Sequence, residues 1–205
     1  MAKYCAVTRN QGQSMYGSTM SVEISAALTT KLKKQGKLHA VRRISTVGLV
    51  SYDILGFEGD GTVKKEIINR YLNEEAEAQQ QPSHSLDITP ENYKFSYKNL
   101  VELDGRNTYL FDITPLHKRK GLFKGQIWID VSSSLRVQES GRLVKLPWTV
   151  KKITFVRKYQ IQDGISLPRQ QQSKVDVRGG PHAEITIDFS NFAIDRAVGV
   201  AAGIE

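Results

Sequence analysis

Apolar residues occupy every second position in several stretches between residues 93 and 193. The clearest stretch is residues 125–131 (GQIWIDV), in which Ile127, Ile129 and Val131 alternate with Gln, Trp and Asp. A period of two is typical of a β-strand, because successive side chains point to opposite faces. The pattern therefore predicts a sheet with one apolar face and one more polar face.

Short turns separate these stretches, so we expect successive strands to be neighbours in the sheet. Asp104-Gly105 predicts a hairpin, since both residues accept a positive φ, and a second turn is predicted at residues 33–36. The predicted strands cover residues 20–28, 38–52, 93–101, 109–113, 125–131, 134–145, 149–161, 165–177 and 182–193. So wide a sheet tends to curl. The predicted fold is mainly β (α+β): an incomplete antiparallel β-barrel, or strongly curved meander, with a helical lid.

The segment at residues 63–81 changes its period. Its apolar residues fall three and four positions apart, as on one face of a helix, and Pro82 is placed to stop that helix. A strand at residues 63–72 followed by a short helix is the alternative. As a helix, the segment would cover the apolar face as a lid, and the residues predicted to face the sheet are Ile67, Ile68, Tyr71 and Leu72.

The length of 205 residues fits a single domain. We place a half-barrel domain at residues 20–193, preceded by a flexible lead-in at 1–19 and followed by a tail at 194–205. No apolar run approaches the roughly 18 residues that a membrane-spanning helix needs. The opening residues lack the apolar core of a secretory signal, and Cys5 has no second cysteine with which to form an internal disulfide.

The chain carries 29 basic and 21 acidic residues, for a formal charge of +8. Basic residues gather at 117–120, 151–152 and 157–158. Such a surface attracts nucleic acid, anionic lipid headgroups or an acidic partner, whereas a merely solvated charged face is the simpler interpretation.

The residues of a catalytic or metal site are not evident. There is no Gly-x-Ser-x-Gly elbow for a serine nucleophile, and the single cysteine lies in the predicted lead-in. The four histidines lack both the spacing and the cysteine partners of a zinc site; they are His39, His84, His117 and His182. We therefore expect no enzyme activity, no metal and no cofactor.

The apolar face is then the candidate working surface. Packed under a helix it is an ordinary core, and as the wall of a cavity it would suit acyl chains; the alternation leaves both interpretations open. The residues that alternation alone assigns to a ligand-binding cavity are Tyr109, Phe111, Ile113, Ile127, Ile129, Val131, Ile153, Phe155, Ile185, Ile187 and Phe189.

Several of these strands carry a recognisable series of motifs. In order, they are IINRYL (67–72), ITPENY (88–93), GLFKGQIWID (121–130), RVQES (136–140) and DFSNF (188–192). Over residues 20–193 the series resembles the bacterial outer-membrane lipoprotein-sorting proteins, relatives of the periplasmic lipoprotein carriers of the LolA and LolB type. The motifs are strand patterns and contain no catalytic signature.

The resemblance implies an incomplete β-barrel whose helical lid covers an apolar cavity. It implies a non-catalytic carrier for the acyl chains of a lipoprotein or another acylated amphiphile. It also implies a periplasmic location, which requires a leader removed before the printed sequence begins. Residues 63–81 are our hypothesis for a lid that exchanges its packing against the sheet for packing against lipid.

Two further functions stay open at this stage. The same half-barrel could act as an envelope sensor or interaction module with an envelope protein as partner, and peripheral contact with a membrane is compatible with either function. The second of these functions is polyanion binding through the basic face, although nucleic acid is not an expected partner.

Overall fold

Ten strands form one antiparallel sheet in a computed structural model that describes residues 2–29, 33–79 and 85–194. The strands are β1 Ser18–Thr29, β2 Lys33–Ile44, β3 Val50–Gly59, β4 Tyr93–Leu103, β5 Arg106–Pro115, β6 Phe123–Asp130, β7 Arg136–Leu143, β8 Val150–Gln162, β9 Ile165–Val177 and β10 His182–Ile194. Their order across the sheet is β3-β2-β1-β10-β9-β8-β7-β6-β5-β4.

The sheet consists of two meanders joined by one long-range pairing. Strands β1 to β3 follow one another, as do β4 to β10, and β1 then pairs with β10 from Ser18↔Ile194 to Thr29↔His182. The edge strands β3 and β4 each have a single partner. The sheet therefore stays open, which confirms the predicted incomplete antiparallel barrel.

Helices lie on one face of the sheet, which we call the inner face. Helix α1 spans Ala2–Ser14. Helix α2 (Gly61–Val63), a π-helical turn (Lys64–Ile68) and helix α3 (Asn69–Gln79) follow one another directly, and we call them together the long helix. The long helix confirms the helical prediction for residues 63–79 and excludes the alternative strand; residues 80 and 81 lie outside the described part.

The buried residues form two groups on the inner face. The first apolar cluster lies under the long helix, on β1, β2 and β10, and includes Ile24, Leu38 and Ile187. The second apolar cluster lies on β4 to β6 and β8, and includes Ile113 and Ile127. Buried residues alternate with partly buried residues along β1, as expected of a strand with one more covered face.

The lead-in predicted for residues 1–19 is wrong in its structure, because α1 and the start of β1 occupy it. Tertiary contacts supply the reason. The ring of Tyr4 is buried in the second apolar cluster, and the Gln11 side chain accepts a hydrogen bond from the Ser166 amide at 2.7 Å. Helices gain most of their stability from such packing, which polar local sequence does not reveal.

The turn predicted at residues 33–36 is also wrong, because these residues belong to β2. Gly36 pairs with Ala26 on one side and Gly59 on the other. A Cβ at Gly36 would lie 3.0 Å from the Phe57 ring. Gly36 therefore lies within a strand, where the absence of a side chain leaves room for the Phe57 ring, and it does not form a turn.

The single long strand predicted for residues 38–52 is in fact a hairpin. Its turn lies between β2 and β3, where the Gly48 amide donates to the Ser45 carbonyl at 2.9 Å and the Leu49 amide donates to the Ser45 hydroxyl at 3.0 Å. Gly48 adopts a φ of +84°, which other residues rarely adopt. The β-branched residues around this turn are typical of a strand, so the sequence pattern does not predict the turn.

The remaining predicted strands agree with the structure to within a few residues. The Asp104-Gly105 hairpin is confirmed, with φ of +48° at Asp104 and +76° at Gly105. The predicted tail lies outside the described residues except for Ile194, the last residue of β10.

A close approach of β6 and β7 depends on Gly125, which pairs with Gly141. A Cβ at Gly125 would lie 1.9 Å from the Ser140 carbonyl oxygen, whereas a Cβ at Gly56 on β3 would meet nothing within 4 Å. We predict that Gly125→Ala lowers the free energy of unfolding by about 3 kcal/mol, because the backbone of β7 must move. Gly56→Ala, measured alongside by urea unfolding, is expected to change it by less than about 1 kcal/mol. Equal losses in the two variants would contradict this constraint.

Candidate functional site

The long helix packs its apolar side onto the first apolar cluster. Asp60 begins the helix, because its carboxylate accepts a hydrogen bond from the Thr62 amide at 2.8 Å. All four predicted lid residues then lie against the sheet: Ile67 and Ile68 are buried, and Tyr71 and Leu72 are partly buried in the same cluster. The π-helical turn contains both isoleucines.

A charged contact fastens the far part of the long helix to the sheet. Arg42 of β2 donates two hydrogen bonds to the Glu75 carboxylate, at 2.9 and 3.1 Å, and the Tyr52 hydroxyl of β3 donates to the other carboxylate oxygen. Burial, followed by the charge of Glu75, raises the pKa of Tyr52 well above its usual value. Tyr52 therefore stays a hydrogen-bond donor at neutral pH.

A second fastening comes from the turn between β5 and β6. The Lys120 ammonium lies 2.8 Å from the Glu74 carboxylate and 2.9 Å from the Glu77 carboxylate. These side chains are exposed, so the ion pairs contribute little on their own. The long helix is thus held by an apolar side and by polar contacts along its second half.

Helix α1 covers part of the second apolar cluster. The Tyr4 ring meets the Phe95 ring edge-on, with centroids 6.3 Å apart, and burial raises the pKa of Tyr4 to about 12. At its other end, Gln11 bonds to the Ser166 amide and to the Gly164 carbonyl. The helix therefore spans the inner face from β4 to the β8–β9 turn.

A buried carboxylate lies on β7 of the same inner face. The side chain of Glu139 is 1% exposed. It accepts hydrogen bonds from Arg136 at 2.9 Å, from Arg157 at 2.9 Å and from the Tyr159 hydroxyl at 3.1 Å. Arg157 also donates to Gln171 at 2.7 Å. We call these five residues the Glu139 network.

A β-bulge brings the network together. Trp128 pairs with Gln138 and Ile129 pairs with Arg136, so Val137 is an extra residue in β7. Without that bulge, Arg136 and Glu139, three residues apart, would point to opposite faces. With it, both lie beside the inner-face residues of β6.

The charge of Glu139 is maintained by its partners. Burial alone would raise the pKa of this carboxyl, but the Arg136 and Arg157 guanidinium groups outweigh burial and hold the pKa below its usual range. The Arg136 guanidinium also lies 4.3 Å over the Tyr159 ring, and its Nε has no hydrogen-bond partner among the described residues. The network thus contains a positive group with unused donor capacity.

The predicted cavity residues are divided between the two apolar clusters of the inner face. Ile113, Ile127, Ile129 and Phe155 are buried in the second apolar cluster with Phe111 beside them, Ile185 and Ile187 are buried in the first with Phe189 beside them, and Ile153 is partly buried. Tyr109 and Val131 are exposed by 40% and 36%. The sequence reasoning missed the Glu139 network, although a charged residue at an inward position of an alternating strand is a signal that could have found it.

An aromatic row leads out of the second apolar cluster on the inner face. Phe95 meets Phe111 edge-on at 6.2 Å, Phe111 meets Tyr97 at 5.6 Å, and Tyr97 meets Tyr109 at 6.4 Å. The row begins at the buried Tyr4 and ends at Tyr97 and Tyr109, which are 55% and 40% exposed. The inner face therefore stays apolar beyond the part that α1 covers.

Neither a metal site nor a membrane-spanning helix is present in the described ranges. No group of three or more His, Cys, Asp or Glu side chains there could hold a metal ion. None of the helices described is both long enough and apolar enough to cross a membrane.

Comparisons with known proteins gave matches among solved structures alone: no protein-family model and no curated protein matches the chain. A domain from Vibrio parahaemolyticus, described as an outer membrane lipoprotein-sorting protein domain, is 9% identical, with 96% of this chain and 93% of that chain aligned and a TM-score of 0.43. A LolA superfamily protein from Nitrosomonas europaea is 9% identical, with 95% and 94% aligned and a TM-score of 0.43.

The chain is similar to both of these structures along nearly its whole length. By their descriptions, both are proteins of the group that the sequence motifs resemble. The MucA/MucB complex from Pseudomonas aeruginosa supplies a further match, at 8% identity over 96% of this chain and 100% of that chain, with a TM-score of 0.29. At such low identities and TM-scores, none of these similarities identifies a ligand or a partner for this chain.

The Glu139 network makes stability depend on pH. Because the folded-state pKa of Glu139 is depressed, its contribution is fully present above the pKa of the unfolded chain, about 4.3, and is lost as the pH falls through the lower folded-state value. We predict that Glu139→Gln lowers the free energy of unfolding by about 3–5 kcal/mol at neutral pH, since two arginines lose their buried counter-charge. The loss should shrink below about pH 4.

The matched control is Glu102→Gln, an exposed glutamate on β4. Chemical unfolding of both variants and the parent protein over a pH series measures the effect. A pH-independent loss in Glu139→Gln, or an equal loss in Glu102→Gln, would show that the carboxylate is not held as described.

The Arg42–Glu75–Tyr52 contact is expected to hold the long helix against the sheet. Glu75→Gln weakens it, so amide hydrogen exchange over residues 61–79 should accelerate by about tenfold, as expected for loss of one partly buried charged hydrogen bond. Glu66→Gln, which removes an exposed pair with Arg70 in the same helix, should leave the exchange rate nearly unchanged. Similar acceleration in both variants would sink this role for Glu75.

Proposed function

We propose that the protein is a non-catalytic periplasmic carrier that holds the acyl chains of a lipoprotein, or of another acylated amphiphile, between the inner face and its helices. The observation that carries this proposal is the aromatic row, which continues the buried second apolar cluster to the exposed Tyr97 and Tyr109. Exposed aromatic rings next to a buried apolar cluster form an entry surface that suits an acyl chain.

The helices supply the means of making space. The apolar sides of α1 and the long helix contact the inner face through side chains that an acyl chain can replace at similar apolar area. Each methylene that leaves water contributes about 0.8 kcal/mol, so partial burial of a chain offsets the cost of displacing a helix. Affinity built in this way is reversible, as a carrier requires.

The Glu139 network would receive the polar part of such a ligand. When the acyl chains of an amphiphile are buried beside a positively charged side chain, its ester or phosphate group lies within reach of that side chain. Arg136 lies near Tyr4, which belongs to the second apolar cluster. Burial raises the pKa of Tyr4, and the positive charge of Arg136 partly opposes that rise. Its free Nε donor is available for an acyl ester carbonyl.

The envelope-protein alternative uses the same exposed residues, because an apolar peptide could also occupy Tyr97 and Tyr109. It differs in what it needs from the interior: a peptide docks on the surface and leaves both clusters packed. Uptake of a fatty acid probe therefore separates the two functions. If the purified protein does not take up the probe, the protein partner is favoured.

We predict that the protein binds a fluorescent fatty acid and that Tyr109→Glu weakens the binding by about tenfold. A carboxylate at the end of the aromatic row must lose water when the chain enters, at a cost of about 1–3 kcal/mol. The control is Leu55→Glu, an apolar residue on the edge strand β3 that is 70% exposed. Fluorescence titration of the three proteins, each checked by circular dichroism, gives the dissociation constants.

Two results would contradict the proposal. One is the absence of probe uptake by the folded parent protein. The other is the same weakening in Leu55→Glu as in Tyr109→Glu, which would place binding on general exposed apolar surface.

A further inference from the structure

A basic groove crosses the outer face of the sheet, on the side opposite the helices. Its volume is about 860 Å³, and outer-face side chains of β4 to β8 line it. Four of these side chains are cations: Lys94, Lys124, Arg142 and Lys152. Register shows how they are arranged, since Lys124 pairs with Arg142 across β6 and β7, and Arg142 pairs with Thr154 of β8, two residues from Lys152.

The positive charges in this groove are offset only in part, because Asp112 attracts Lys124 and Lys152 pairs with Asp176 of β9. Like charges that lie directly opposite each other destabilise a sheet, yet Lys124 and Arg142 are so placed. In the described part of the chain, none of the four cations is within ion-pair distance of a carboxylate. Asp112 is the acidic residue lining the groove, and it is already engaged by Gln126 at 3.0 Å and Lys98 at 3.3 Å. The groove therefore favours an anion supplied from outside.

Exposed apolar residues lie on two turns at the same end of the sheet. Trp148 is 84% exposed on the β7–β8 turn, and Leu116 is 51% exposed directly after β5. The two turns are joined by a hydrogen bond from the Val144 amide to the Leu122 carbonyl at 3.0 Å. Basic residues flank both, with Lys145 and Lys151 around the tryptophan and Lys118 and Arg119 after the leucine.

This combination has the chemistry of a membrane-surface contact. Tryptophan favours the interfacial layer of a bilayer, where its ring meets both apolar and polar groups. Basic residues near an anionic membrane surface each add about 1 kcal/mol of attraction. A partner that contributes anionic groups to the groove and an apolar layer to the turns satisfies both parts of the surface.

Nucleic acid fits the arrangement less well. Surfaces that bind single-stranded nucleic acid place aromatic rings among the cations, where successive bases stack on them. The aromatic residue lining this groove is Phe155, which is buried in the second apolar cluster. The exposed ring of Trp148 instead lies on a turn beyond the strands that carry the cations.

We propose that this surface docks the protein on the anionic phospholipids of a bilayer. Lys94, Lys124, Arg142 and Lys152 contact headgroup phosphates, and Trp148 and Leu116 enter the interfacial layer. The site is on the face opposite the acyl-binding surface proposed above and does not depend on it.

Vesicle sedimentation of the full chain tests the proposal. The protein is mixed at low salt with vesicles of phosphatidylcholine alone or of phosphatidylcholine with phosphatidylglycerol, and again at raised salt. We expect binding to the anionic vesicles that falls with salt and little binding to the neutral ones. Lys124→Glu should weaken the binding by about tenfold or more, because it reverses a central charge of the groove.

Stability separates this role from a structural one. Lys124→Glu places a carboxylate opposite Arg142, so its thermal midpoint should hold or rise while its vesicle binding falls. The charge-matched control is Arg169→Glu, an exposed cation of β9 outside the groove, and it should bind nearly as the parent does. Trp148→Ser should weaken binding several-fold, whereas Val47→Ser, at a residue 73% exposed on the β2–β3 turn, should not.

Three results would overturn the proposal. The first is equal binding to neutral and anionic vesicles. The second is an equal effect of Lys124→Glu and Arg169→Glu. The third is binding of a DNA oligonucleotide that depends on Lys124 and not on Trp148, together with no vesicle binding, which would assign the groove to nucleic acid.

Discussion

The pairing of β1 with β10 is the constraint on which the rest of the structure depends. It joins residues 18–29 to residues 182–194, across almost the whole chain. Without it, β1 to β3 would be a separate three-stranded sheet whose apolar face had only the long helix as cover. With it, both meanders share one inner face, and Ile24 on β1 lies beside Ile187 on β10 in the first apolar cluster. The entropy cost of closing so long a loop grows only slowly with its length. Burial of apolar side chains where β1 meets β10 opposes this cost.

The Glu139 network is the main departure from an apolar inner face. Replacing a buried ion pair by apolar side chains is often neutral or stabilising in proteins, so stability alone does not require these charges. Their place among inner-face residues is fixed by the bulge at Val137. If the ligand is the amphiphile proposed above, these charges would bind the polar group at the end of its chains.

The two faces of the sheet carry different chemistry on the same strands. Along β6, Ile127 and Ile129 point inward while Lys124 and Gln126 point outward. The alternation that builds the inner apolar face thus also builds the outer cationic groove. Gly125 and Gly141 matter to both, because their absence of side chains lets β6 and β7 approach each other where the groove crosses the sheet.

The sequence by itself determined most of the strands, the Asp104-Gly105 hairpin and the helical character of residues 63–79. These features depend on periodicity and on residues that accept positive φ, both of which are local properties. It predicted an apolar face but could not divide it, because alternation shows which side chains share a face and not which residues they meet. Only the tertiary structure buried Tyr4 to order α1, placed the β2–β3 turn at Gly48, and aligned Arg136 with Glu139 through one extra residue in β7. A bulge, a distant packing partner and a cross-strand register are properties of two segments together, so neither segment reveals them alone.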